Sequence, residues 1–129
     1  MEQISLYGEQ DMAAMPSLVP VVDPEMTAEE RFARFHELNP HVLQLLVRKA
    51  ERKKRAGMRR VSMKGIFEQL REEWFETRGE PFKLNNTYTA FYARMISERR
   101  PDLAPLFELR ATKAERRAAR QAERAGRVQ

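Results

Sequence analysis

The stretch TAEERFARFHELNPHVLQLLVRKAERKKRAG, residues 27–57, decides the fold class. Thr27 followed by Glu30 is a capping box, in which the hydroxyl and the carboxylate each satisfy a backbone amide left free at a helix start. Phe32, Phe35 and Leu38 follow as one apolar edge. Asn39-Pro40 then reads as a stop and an immediate restart, with Asn as cap and Pro at the first helical position, where its missing N–H costs nothing. Val42, Leu45, Leu46 and Ala50 recur at helical spacing, Gln44, Arg48, Arg52 and Arg55 share the far side, and Gly57 supplies the C-terminal stop. The stretch therefore predicts two consecutive amphipathic helices.

Working downstream, Met58 to Val61 forms a short connection, and Ser62 caps a third helix with core stripe Met63, Ile66, Phe67, Leu70 and Trp74. Its outer side carries Glu68, Glu72, Glu73 and Glu76, so this helix is expected to pack and not to face a polyanion. Arg78-Gly79-Glu80-Pro81 interrupts the pattern. Asn85 or Asn86 caps a fourth helix that runs to about Arg99 and is ended by Pro101. Leu84, Tyr88, Phe91, Tyr92 and Met95 make its core side. Asn86, Ala90, Ala93 and Ser97, flanked by Thr89 and Arg94, make a small-residue side that allows close approach. The apolar turn Pro101 to Phe107 closes the core.

Upstream, residues 1–26 show no periodicity, and Pro16, Pro20 and Pro24 favour an extended arm or linker. Its apolar run Leu18-Val19-Pro20-Val21-Val22 could lie in a groove, on this body or on a partner. The tail, residues 110–129, is Ala/Arg/Glu-rich, with high helix propensity and almost nothing to bury, so it is expected to be frayed until bound. The predicted organisation is an acidic arm (1–26), a helical core domain (27–109) and a basic tail (110–129), all-α and loosely helix-turn-helix-like.

The 129 residues, 42% hydrophobic, suffice for one modest core. The absence of cysteine removes disulfides, thiolate metal sites and thiol nucleophiles, and fits a reducing, cytoplasmic setting. No apolar run approaches the ~18 residues of a membrane span, and no secretory leader pattern opens the chain. His36 and His41, split by Asn39-Pro40 and without further ligands, point to ordinary, partly exposed side chains and no metal. Phosphate-cradling glycine loops, nucleophile elbows and metalloprotease signatures are all missing, so neither catalysis nor a cofactor is expected.

The net charge of +5 conceals an asymmetry. Residues 1–30 hold seven acids and no Lys or Arg, and residues 31–129 hold all 24 bases against 12 acids, a contrast of −7 and +12. Within the body, Arg48 to Arg60 contains eight bases and one acid (Arg48, Lys49, Arg52, Lys53, Lys54, Arg55, Arg59, Arg60 against Glu51). Such a run suits phosphate contacts, because each neutralised phosphate releases a counterion. The alternative is a solvated helix face, though solvated faces usually interleave both signs. The connection through Gly57 to Val61 has helix-turn-helix length, and Asn85, Asn86, Thr87 and Thr89 with Arg94 are residue types that reach base edges or phosphates from a recognition helix. The same Asn and Thr residues could equally be caps. Lys64, Lys83 and the tail's Arg116, Arg117 and Arg120 complete the candidate contacts. The acidic arm could mimic phosphate and screen this surface.

Phe35-His-Glu-Leu-Asn-Pro-His-Val42, Val61-Ser-Met-Lys-Gly-Ile-Phe-Glu-Gln-Leu-Arg71, and Phe82-Lys-Leu-Asn-Asn86 with Tyr88, Tyr92, Ala93 and Arg94 resemble a family of small helical proteins of phage and prophage genomes. The resemblance spans about residues 32–108 and implies a helical domain of phage type, without catalytic residues to carry over. The expectation is a non-catalytic nucleic-acid-binding accessory or regulatory protein, with DNA ahead of RNA, no membrane contact, and dimerisation or a protein partner as the alternative use of the small-residue face.

Overall fold

The computed structural model describes residues 9–107 and 113–127, with side chains over 11–107 and 117–126. Among these the chain is all-α: α1 (Ala28–Leu38), α2 (Pro40–Arg55), α3 (Met63–Arg78), α4 (Thr89–Arg99) and α5 (Lys113–Arg127), with short 3-10 turns at Glu9–Ala14, Asn86–Tyr88 and Ala104–Leu106. No strand forms among the described residues. The capping box closes as expected, with Thr27 accepting from the Glu30 amide and Glu30 accepting from the Thr27 amide. Ser62 caps α3 through the Gly65 amide at 3.2 Å. Gly79 ends α3 in the left-handed region at φ 71°, where a Cβ would be strained.

The core is one cluster in which α3 supplies Met63, Ile66, Phe67, Leu70 and Trp74, packed between α2 and α4. Phe32 and Phe35 of α1 meet Tyr88 and Tyr92, with the Phe32 and Tyr92 rings edge to face at 4.8 Å. The Pro101–Phe107 turn closes this core, and the Leu106 carbonyl accepts the Val61 amide at 2.8 Å, which ties the α2–α3 connection to the end of the body.

Four expectations are corrected. Residues 1–26 are not simply an arm: Glu9–Ala14 is helical and Met12 and Met15 are buried in the core. Their apolar side chains outweigh the absence of periodicity, so the packed unit begins well before residue 27. Asn39, expected as the α2 cap, makes no side-chain cap bond. It is fully buried, and its amide accepts the Val19 N–H at 2.8 Å and donates to the Val19 carbonyl at 2.9 Å. The buried face of α4 is Tyr92, Ala93 and Ile96, with Phe91 and Met95 only partly covered. The 3-10 turn at Asn86–Tyr88 advances the chain differently from an α-helical turn and so resets the phase. Finally, His41 is buried, not partly exposed. Beyond Phe107, α5 is helical, with residues 117–126 exposed, as an Ala-rich sequence of high propensity allows.

Candidate nucleic-acid interface

The basic run divides once it is placed in the fold. Arg48 is half-buried beside Met12, Leu45 and Leu70, and desolvation lowers its pKa while Asp11 and Glu51 act in the opposite direction. Lys49 pairs with Glu73 of α3. Lys54 donates to the Asp102 carbonyl at 2.7 Å, and Arg100 bridges Asp102 and Glu51. The hydrogen bonds that Arg100 donates to those two carboxylates raise its pKa. Arg52 and Lys53 border a groove that also holds Glu72, Glu73 and Glu76. The acidic outer side of α3 thus faces the basic side of α2, and a run unmixed in sequence is mixed in space.

A different set remains open. Arg55, Arg59, Arg60 and Lys64 are exposed and make no ion pair among the described residues. Arg60 and Lys64 stand on one wall of a groove of about 850 Å3, with Val61, Ser62 and Met63 between them. The other wall is α4, contributing Thr89, Ala90, Ala93 and Arg94, and Leu106 and Phe107 close the end. Arg94 is half-buried and engaged with neighbouring groups. Ala90 and Ala93 are the small residues of the α4 wall, although Ala93, expected opposite the core, belongs to the buried face. Three cations from two stretches of sequence line it.

The polar residues before α4 serve the fold. Asn85 accepts the Thr87 amide at 2.9 Å as the cap of the 3-10 turn. Asn86 accepts from Arg71 at 2.5 Å, and Arg71 also donates to the Leu84 carbonyl at 2.6 Å. Thr89 donates to the Asn86 carbonyl at 3.0 Å. Lys83 and Asn85 border a second groove with Val21, Phe35 and Phe82, whose lining includes neither Arg60 nor Lys64. Thr87, Arg117 and Arg120 are exposed, and the Arg116 side chain lies outside the described residues. Sequence reasoning assigned no role to Arg71, Arg78 or Arg100, each of which holds loop backbone or carboxylates of other segments. Only the placement of Arg78 against Gly79 hinted at this, since a cation in a last helical turn suits the carbonyl end.

Among the described residues no group of His, Asp and Glu has the arrangement of a metal site, and no helix is long and apolar enough to cross a membrane. Comparison of the chain with protein-family models, with curated proteins and with solved structures returns no match.

Proposed function

We propose that the protein binds nucleic acid, duplex DNA first, as a non-catalytic accessory or regulatory factor of phage type, through Arg55, Arg59, Arg60, Lys64 and Arg94. The observation that carries this reading is that Arg60, Lys64 and Arg94 line one groove whose lining holds no acid, while Glu73, Asp102 and Glu51 are paired with Lys49, Lys54 and Arg100. Arg60 and Lys64, exposed and outside any ion pair among the described residues, attract a phosphate backbone and release its counterions, and Arg94, engaged with neighbouring groups, lines the same groove. Duplex is favoured over single strands because Tyr88, Tyr92 and Phe107 are all buried, so the groove offers no aromatic platform for unpaired bases. The tail's Arg117 and Arg120 would add backbone contacts without reading sequence.

Fluorescence anisotropy with duplex DNA, single-stranded DNA and RNA across a salt titration tests the reading. Replacing Arg60, Lys64 and Arg94 by alanine should shallow the salt slope for duplex DNA by about 0.9 per lost phosphate contact. Lys49→Ala, at a residue already paired with Glu73, should change it little. Equal slopes for the triple variant and the native protein would remove this surface. Absence of binding at low salt would transfer the groove, with its small-residue α4 wall, to a protein partner.

A further inference from the structure

Residues 11–19 are held to the body by contacts that the proposed interface does not use. Met12 and Met15 are buried at 3% and 2% exposure. The rest of the hold is on main chain. Arg78 donates to the carbonyls of Met12 (3.0 Å), Ala13 (3.2 Å) and Met15, and to the Ser17 hydroxyl at 3.1 Å. Asn39 takes both polar groups of Val19. Ser17 in turn donates to Glu80 at 2.8 Å, and Glu80 also accepts from the Trp74 indole at 3.2 Å and lies 3.5 Å from Arg78.

His41 sits at the centre of this seat. It is 2% exposed, hydrogen-bonded with the Pro16 backbone, and stacked on Trp74 with centroids 6.3 Å apart. Its Nε2 is buried without a hydrogen-bond partner. From α3 it faces the Trp74 indole and the Arg78 cation, which itself lies 4.3 Å over the indole. The segment offers the Pro16 carbonyl, and Asn39 at the end of α1 is neutral. The carboxylate of this cluster, Glu80, is already shared by Ser17, Trp74 and Arg78. A second proton on the ring would therefore create a buried N–H without an acceptor and a cation beside a cation.

We propose that residues 11–19 form an acid-released strap whose trigger is His41: protonation of the ring expels it from beneath Pro16, and the strap leaves Trp74 while α1–α4 stay folded. Burial already holds the seated ring below the ordinary histidine value of 6.5, and Arg78 adds to this against the opposing Pro16 bond. The sign follows. A released ring takes its proton at the ordinary value and a seated one only at lower pH, so acidification below that value favours release. Strap release would also remove Asp11 from the neighbourhood of Arg48.

Amide hydrogen exchange on the full chain from about pH 7 to pH 5, corrected for intrinsic rates, tests this, with fluorescence of Trp74, the only tryptophan, followed in parallel. The Val19 amide should lose protection by about tenfold per pH unit below the histidine range, until the seated ring titrates. Amides of α2 and α3 should keep theirs, and the Trp74 emission should change over the same interval. His41→Gln, which keeps a donor for Pro16 but cannot gain charge, should hold Val19 protection level with pH, and His36→Gln should leave the response intact. Val19 protection that is independent of pH in the native chain, or that falls only together with the α3 amides, overturns the proposal without need of any variant.

Discussion

At the scale of single residues, the side chains that matter most for the hold on the N-terminal segment are those whose partners lie far away in sequence. Asn39 reads as a cap from its neighbour Pro40, yet Val19, twenty positions upstream, claims its amide. Asn39→Ala should therefore cost more than the loss of an ordinary cap, about 2–4 kcal/mol, because Val19 and Phe35 lose partners in a covered site. Urea unfolding would measure it; a loss under about 0.5 kcal/mol would mean that water replaces the amide freely. The two histidines make a second residue-scale prediction. Desolvation lowers the pKa of both His36 and His41, so the unfolded chain binds protons that the folded chain refuses, and stability should fall as pH drops below 6.5. Glu80 and Asp102 are held below the ordinary carboxylate range, by hydrogen bonds from Ser17 and Arg100 respectively, and their contribution should be lost only at more acid pH. Thermal melts across pH should accordingly show an early histidine decline and a later carboxylate one; a profile flat from pH 7 to 5 would contradict the histidine assignment.

Elements were the most legible level. The capping box at Thr27, the Pro40 restart, the Ser62 cap and the Gly79 stop are local chemistry, and each is found where the sequence placed it. Thr27→Ala should cost about 1 kcal/mol, since it leaves the Glu30 amide without its acceptor. Gly79→Ala should cost a similar ~1–2 kcal/mol through the positive φ alone, because nothing lies within 4 Å of the added Cβ. Chemical denaturation of the two variants should thus give comparable losses from unrelated causes. The core side of the fourth helix is right at Leu84, Tyr88 and Tyr92 but shifted beyond them, towards Ala93 and Ile96 and away from Phe91 and Met95, because periodicity assumes one helix type and the Asn86–Tyr88 turn is 3-10. Met12 and Met15 were missed for a related reason: two methionines in a proline-rich segment have no period to reveal them.

For the whole molecule, charge is the quantity that folding rearranged. The acids of α3 and Asp102 come from outside the basic run and meet it only in three dimensions. Asp102→Asn removes the carboxylate charge beside Lys54 and Arg100 while leaving Lys54 its bond to the main-chain carbonyl and Arg100 its pair with Glu51, so it should raise affinity for duplex DNA and steepen the salt slope by up to about 0.9 for one added phosphate contact. An unchanged slope would mean that Lys54 lies off the path of the backbone. The proposed screening by the N-terminal acids also takes a narrower form: among the described acids of that segment Asp11 adjoins Arg48, whereas none lines the Arg60 groove. Deleting residues 1–26 would remove Met12 and Met15 from the core, so Asp11→Asn is the cleaner probe of that effect.

The sequence by itself determined the helical class, the helix starts and stops, the main core stripes and the excess of positive charge, because each depends on neighbours within a turn or two. Tertiary structure alone decided which cations stay uncompensated, that Arg60, Lys64 and Arg94 share a groove, and that residues 11–19 are seated by Asn39, His41 and Arg78. Those outcomes depend on pairings between distant segments, and no local period or cap encodes which faces will meet when the core closes.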